Sequence, residues 1–455
     1  MMSEQVDVVV VGLGVGGEEV AGKLAEAGLT VVGIEDRLVG GECPYWGCIP
    51  SKMMIRAANL LAEGRRVDEL AGSAQVSPDW APVARRIRDE ATDNWNDRAA
   101  VDRFTGKGGR FVRGRGRLVA PGRVVAGDTE FEAAKGVVVA TGTEPAIPPV
   151  DGLADTPYWT NREAIEAETL PASLLVLGGG AIGLELAQVY ARFGVDVTIV
   201  EASDRVLAME EPESSALLVE TLGRDKISIH TGARAAKVGH DGAAFTLALT
   251  DGRGLTGEKL LVATGRRTNL AGLSVESVGL DPHAKAIDVD DRMRAGEKLW
   301  AVGDVTGKGA FTHVAMYQAG VAIRDMLDRD GPPADYRALP RVTFTDPEIG
   351  AVGLTEEQAR ARGIDVRVGT TDIPSSSRGW IHKAGNDGFI KLVADADRGV
   401  LVGATSAGPT GGEVLAGLAV AVHGEVPVDR LRHMIYAYPT FHRAIEAALA
   451  DLGQW

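Results

Sequence analysis

Residues 8–35 run in the order apolar strand, glycine loop, apolar helix, strand and acid, and residues 174–201 repeat that order. In the first copy Val8 to Val11 leads into Gly12-Leu13-Gly14-Val15-Gly16-Gly17, a helical pattern continues to Ala27, and a second apolar run ends on Glu35. In the second, Leu174 to Leu177 leads into Gly178-Gly179-Gly180-Ala181-Ile182-Gly183, the helical pattern reaches Phe193, and Val197 to Val200 ends on Glu201. The acid falls 18 positions after the last glycine in both copies, from 17 to 35 and from 183 to 201. A Gly-x-Gly-x-x-Gly loop between a strand and a helix brings backbone amides to a pyrophosphate at a helix N-terminus, and the acid accepts hydrogen bonds from an adenosine ribose. One such motif is a weak signal. Two with matching strands, helices and acids predict two Rossmann-like dinucleotide-binding units, with Gly12, Gly14, Gly17 and Glu35 serving one nucleotide and Gly178, Gly180, Gly183 and Glu201 the other.

Only two cysteines occur, Cys43 and Cys48, both within Gly40-Gly41-Glu42-Cys43-Pro44-Tyr45-Trp46-Gly47-Cys48-Ile49-Pro50-Ser51-Lys52. Thiols used as core packing would be scattered, and two cysteines are too few for a secreted disulfide framework. A pair that closes so small a loop stabilises little and is useful for opening reversibly. Cys48 precedes an apolar, Ala-rich stretch to Leu61 with Pro50 in its first turn, which predicts a helix start. The helix dipole and Lys52 would favour a thiolate there. The competing readings are two idle thiols or half a zinc site, and the eight histidines show no cluster to complete the latter. No metal site is expected. Lys52 alone reads as a surface lysine, but its place four residues after Cys48 favours a role beside the sulfur. Tyr45 and Trp46 are equally readable as loop packing or as contacts to a substrate.

Two nucleotide sites and a redox pair imply an electron relay. The cysteines follow the first unit, so the first site should hold a cofactor that touches them; a flavin suits, since it takes hydride on one face and exchanges electrons with a thiolate on the other. The second site would hold the nicotinamide. Glu201 favours NADH because its carboxylate repels a 2'-phosphate, and Arg205 nearby keeps NADPH use open.

These residues resemble the pyridine nucleotide disulfide oxidoreductases, the group of dihydrolipoyl dehydrogenase, glutathione reductase and mercuric reductase, over essentially the whole chain. The likeness extends to Val139-Ala140-Thr141-Gly142, Val262-Ala263-Thr264-Gly265-Arg266, Ala301-Val302-Gly303-Asp304 and Phe344-Thr345-Asp346-Pro347-Glu348-Ile349-Gly350. The resemblance implies an α/β fold of two Rossmann-like dinucleotide-binding domains plus a C-terminal α+β dimerisation domain. Residues 1–150 and 270–335 would bind FAD, 151–269 would bind NAD(P)H and 340–455 would form a homodimer interface. It implies that Cys48 lies next to the flavin and Cys43 meets the outside substrate, that Lys52 pairs with Glu185, and that Asp304 binds the ribityl chain. Gly41, Thr141, Gly142, Gly265 and Gly303 would line the cofactors.

One departure bears on function. Small-disulfide reductases of this family end in a His-Pro-Thr segment whose histidine moves protons for substrate thiols, assisted by a Glu. Here the segment is Tyr438-Pro439-Thr440-Phe441-His442-Arg443. A phenol, with an ordinary pKa of about 10, is a poor thiol base at neutral pH. Mercuric reductase also carries a tyrosine there but needs a second cysteine pair at its C-terminus, which this tail lacks. His442 and Glu446, spaced i, i+4, could form a displaced dyad or a surface pair. The leading expectation is an FAD enzyme passing hydride from NADH to an unidentified small-molecule acceptor such as a quinone or dye. The alternatives are a dihydrolipoyl dehydrogenase-like reductase using His442, or a redox-sensing flavoprotein of low turnover.

With 48 basic and 63 acidic residues the net charge is -15, which disfavours nucleic acid or an anionic membrane as a partner. Lys107, Arg110, Arg113, Arg115 and Arg117 form a local basic run, read as a solvated strand rather than a phosphate grip. No run of about 20 apolar residues or signal peptide is present, so the expected compartment is the cytoplasm.

Overall fold

The computed structural model describes residues 2–454, which divide into two units. The first comprises residues up to Ser51, Arg85–Ala146 and Arg266–Asp335. Its eight-stranded sheet has a main path ordered Arg294–Gly296, Leu299–Ala301, Thr129–Val139, Met2–Val11, Val31–Glu35 and Arg110–Arg113, parallel along this path except for the first pair, while Gly116–Ala120 and Arg123–Ala126 join antiparallel through Thr129–Val139. The valine run is explained by burial on both sheet faces: Val8 and Val10 pack toward Leu24 and Phe104, while Val9 and Val11 pack toward Phe131 and Val139. The helix Val15–Glu26 follows the first strand, as its pattern predicts. The basic run forms Arg110–Arg113 and part of the next strand, Gly116–Ala120. Lys107 pairs with Glu26, Arg110 with Glu4, Arg113 with Asp97 and Arg115 with Asp36, so these cations are matched to carboxylates within the unit.

The second unit comprises Lys52–Ala84, Ile147–Gly265 and Tyr336 onward. Its parallel sheet is ordered Ser228–His230, Asp196–Val200, Ser173–Leu177 and Lys259–Val262. A separate antiparallel sheet is ordered Pro340–Thr343, Glu348–Gly353, Val400–Gly408, Phe389–Asp395 and Val366–Asp372. The helices Gly411–His423 and Ala444–Asp451 share its apolar core through Leu415, Leu418, Ala448 and Leu449. Residues 52–84, expected with the FAD-binding segment, fall in this unit. The helix Cys48–Arg65 begins in the first unit, and beyond Lys52 its polar side chains bond to the helix Ala181–Arg192.

Lys391, 3% exposed, lies 3.0 Å from Glu211, 2.7 Å from Glu213 and 3.0 Å from Glu356. Burial opposes its charge, but the bonds to Glu213, Glu211 and Glu356 outweigh this and hold its pKa above the ordinary lysine value. The acids belong to the first turns or N-caps of two helices, Pro212–Arg224 and Glu356–Ala361, where negative charge is favoured. No helix among the described residues is long and apolar enough to cross a membrane.

Candidate functional site

Each glycine loop sits at the carboxyl end of the first strand of its parallel sheet, and the two loops are built alike. A Cβ on Gly12 would lie 2.5 Å from the Ala140 carbonyl oxygen, and one on Gly178 would lie 2.4 Å from that of Ala263. A Cβ on Gly17 would meet the Gly12 oxygen at 2.0 Å, and one on Gly183 the Gly178 oxygen at 2.2 Å. These four glycines are required by the fold itself. The middle glycines differ: a Cβ on Gly14 meets nothing nearer than 3.9 Å, and one on Gly180 nothing within 4 Å. Open space at that position is what the close approach of a pyrophosphate to backbone amides needs.

The acids are also matched. Glu35 accepts from the Leu13 and Arg37 N–H groups, both at 2.8 Å. Glu201 accepts from the Gly179 and Ser203 N–H groups, both at 2.6 Å. In each copy one carboxylate oxygen is tied to the glycine loop and the other to the residue two positions on, which presents the acid at the loop's edge.

In the first unit, Thr141 and Gly142 leave the end of Thr129–Val139, and Gly303 and Asp304 leave the end of Leu299–Ala301. These termini and Glu35 therefore share the carboxyl edge of the sheet with the glycine loop. Asp304 is held by Thr143, whose hydroxyl donates at 2.9 Å, while Arg266 donates to the Thr143 hydroxyl at 2.7 Å and to its carbonyl at 2.6 Å. Burial pushes both Glu35 and Asp304 above the usual carboxylate range. Carboxylates so placed favour further donors, and the hydroxyls of a ribose or ribityl chain supply them, so the donor set and open loop fit FAD. In the second unit Gly265 leaves the strand Lys259–Val262 at the corresponding edge.

Gly41, with φ of +70°, caps a short helix, Glu42–Trp46, that carries Cys43; Cys48 opens the next. A Cβ on Gly41 would lie 2.8 Å from the Gly14 Cα, and Gly40 bridges to Gly14, so the cysteine loop is seated on the first glycine loop. Both cysteines are free thiols, Cys43 half-buried and Cys48 exposed. The hydrogen bond Cys43 shares with Cys48, reinforced by burial, pushes the Cys43 thiol far up. The Cys48 sulfur lies 3.4 Å from the Thr312 hydroxyl, on the first residue of the helix Thr312–Met326. Tyr45 is buried with its hydroxyl on the Val39 carbonyl at 3.1 Å, so its place is loop packing; Trp46 is half-buried against it.

In the second unit Lys52 and Glu185 form an ion pair at 2.7 Å, with Glu185 only 6% exposed. The Lys52 ammonium also lies 4.7 Å from the centre of the Phe344 ring. Tyr438 is 67% exposed, preceding a cis bond to Pro439, with the Arg443 guanidinium 5.6 Å from its ring. The displaced dyad is not formed. Glu446 pairs with Arg443 at 2.9 Å, and His442 lies in a tight 3₁₀ turn, 441–443, before the final helix, its Nε2 3.5 Å from the Thr440 hydroxyl. The i, i+4 expectation failed because His442 precedes the regular helix and a stronger cation takes the acid.

Thr143, Arg266, Thr312 and Asp346 were not assigned roles from sequence. Thr312 had one usable signal, its place just ahead of an apolar helical run; Thr143 and Asp346 lay inside or beside recognised motifs without spacing that marks a partner.

Residues 6–319 match the pyridine nucleotide-disulphide oxidoreductase family, and residues 339–449 match that family's dimerisation domain. The chain belongs to this family. It is 34% identical over 475 aligned residues to the dihydrolipoyl dehydrogenase of Halobacterium salinarum, covering 99% of this chain and 97% of that one. It is 33% identical to the mercuric reductase of Shewanella putrefaciens, covering 95% of this chain and 78% of that protein. The crystal structure of LpdA from Mycobacterium tuberculosis superposes with a TM-score of 0.86 at 28% identity, covering all of both chains. The fold is accordingly two dinucleotide-binding Rossmann-like domains plus a dimerisation domain, and the chain is an NAD(P)H-dependent flavoprotein oxidoreductase of the disulfide-reductase type.

Proposed function

We propose that this enzyme takes hydride from NADH through FAD, with Cys43 and Cys48 as its redox pair, and delivers electrons to an acceptor other than the usual small disulfide. The observation that carries the choice of acceptor is Tyr438 in the place of the family's histidine, together with the engagement of Glu446 by Arg443. FAD, when bound, supplies a two-electron carrier that accepts hydride and exchanges electrons with sulfur. The chain's residues then have distinct tasks. Glu35 and Asp304 would hold the hydroxyls of FAD, with Gly14 admitting its pyrophosphate and Gly41, Thr141, Gly142 and Gly303 lining the same edge. Glu201, Gly178, Gly180, Gly183 and Gly265 would do the same for the nicotinamide nucleotide. Lys52 stands one helical turn beyond Cys48, fixed by Glu185, while Thr312 offers a hydroxyl to the sulfur. Tyr438, a poor thiol base, stands where the family's histidine would be, which disfavours attack by Cys43 on an incoming disulfide and favours a quinone or dye that takes electrons without a thiol base.

NADH is the donor supported by Glu201, and Arg205 does not offset it. Its guanidinium donates to the Ser215 hydroxyl at 2.9 Å and to the carbonyls of Ala208 at 2.8 Å and Leu207 at 3.4 Å, so it is committed to its own loop rather than to a 2'-phosphate. A second reading, a dihydrolipoyl dehydrogenase-like activity, draws support from the full-length likeness to the Halobacterium salinarum enzyme. Steady-state oxidation of NADH and NADPH, each with lipoamide and with a quinone, separates the two. The expected result is quinone turnover, with kcat/KM for NADH at least about tenfold above NADPH, a difference of about 1.4 kcal/mol. Brisk lipoamide turnover with no quinone reaction would establish the second reading.

We further propose a cytoplasmic homodimer. The dimerisation region exposes Val420 (68%), Ile435 (95%) and Tyr438, large side chains that a partner subunit would cover. Sedimentation should report twice the chain mass of 47.7 kDa, and a fully active monomer would refute the dimer.

A further inference from the structure

We infer that Asp346 is a positioning residue for the Lys52–Glu185 ion pair, acting from the far end of a buried polar ladder between two helices. The inference rests on the reading of Cys48 as the sulfur beside the flavin.

The helix Ala181–Arg192 presents Glu185, Gln188 and Arg192 at spacings of three and four, which puts them on one face. All three are buried, and all three grip the segment 344–346. The Phe344 N–H donates to Glu185 Oε1 at 2.8 Å. The Asp346 N–H donates to Gln188 Oε1 at 2.8 Å, while Gln188 Nε2 donates back to the Asp346 carbonyl at 3.0 Å. Arg192 Nη2 donates to Asp346 Oδ2 at 2.8 Å.

The helix Cys48–Arg65 and the residue after it present Lys52, Asn59 and Arg66, each seven apart, to the same ladder. Lys52 reaches Glu185 Oε2 at 2.7 Å, Asn59 Oδ1 accepts from Arg192 Nη1 at 2.7 Å, and Arg66 Nη2 donates to Asp346 Oδ2 at 2.9 Å. Asp346 Oδ2 thus accepts from guanidinium groups arriving from both directions. Without its charge, Arg192 would keep only Asp225 and Arg66 only Glu63 among the described carboxylates, and the one carboxylate that joins the two guanidinium groups would be lost, a costly change where Arg192 is almost fully buried. With it, the rungs are fixed from Arg66 to Lys52, about 20 Å at a helical rise of 1.5 Å per residue. Glu185 has one oxygen on Lys52 and the other on Phe344, two residues before Asp346. Releasing the segment 344–346 therefore frees the carboxylate that fixes the Lys52 ammonium, and the positive charge one turn beyond Cys48 loses its fixed position.

The test is the pH dependence of the long-wavelength absorption band given by the Cys48 thiolate against the flavin in two-electron-reduced holoenzyme. In Asp346→Asn the midpoint at which the band appears should rise by about half a pH unit or more, because a less fixed Lys52 stabilises the thiolate less. Gln188→Met, which removes both bonds to the Asp346 backbone without changing charge, should shift it in the same direction and serves if Asp346→Asn does not fold. Lys391→Met disrupts a different buried ion cluster; it should lower thermal stability and leave the midpoint unmoved. A midpoint unchanged in both ladder variants overturns the inference, as does an equal shift in Lys391→Met. Absence of the band from the unaltered protein overturns the reading of Cys48 and the inference with it.

Discussion

Two-electron reduction of Cys48→Ser holoenzyme by NADH is expected to produce no long-wavelength band, whereas the unaltered protein develops one. The sulfur proposed to carry the thiolate is Cys48, which opens the helix Cys48–Arg65 and lies 3.4 Å from the Thr312 hydroxyl. Electron delivery to any disulfide should fall on the order of 10³-fold, because a covalent intermediate cannot form on a hydroxyl in place of the sulfur. Quinone reduction should persist in Cys48→Ser and in Cys43→Ser if electrons leave directly from the cofactor. A band retained in Cys48→Ser would disprove the assignment of that sulfur.

The second large effect concerns position 438. Lipoamide turnover in the unaltered enzyme is expected to lie about 10²- to 10⁴-fold below that of enzymes with a positioned histidine, the usual worth of such an acid–base group. Tyr438→His should recover part of this deficit. Recovery should be incomplete, because the nearest acid in sequence, Glu446, is already paired with Arg443; adding Arg443→Ala to free that carboxylate should increase it. Fast lipoamide turnover in the unaltered enzyme, unaffected by Tyr438→Phe, would show that proton transfer takes another route.

The two glycine loops were legible in sequence because their glycines answer to backbone contacts only a few residues away, and the acid at the next strand's end follows at fixed spacing. The Gly-x-Gly-x-x-Gly spacing reflects the Gly17 to Gly12 and Gly183 to Gly178 contacts, which admit no side chain. Cys43, Cys48 and Lys52 were legible for a related reason, being close neighbours in sequence. The Lys52–Glu185 pair came from family resemblance alone, since nothing local joins residues 133 positions apart. Thr312 lies 264 positions from Cys48, and Thr143 lies 161 from Asp304. Such single polar residues carry no periodicity, and only the folded chain shows which partner each meets. His442 and Glu446 show the converse, a spacing that promised a pair until the start of the final helix was placed.

The seating of Gly41 on Gly14 has a consequence for engineering. Gly41 admits no side chain at that contact, so the loop that bears the sulfurs and the loop that receives the pyrophosphate are two halves of one joint. Grafting residues 40–48 onto another scaffold would therefore transfer the sulfurs without their alignment unless residues 12–17 travelled with them.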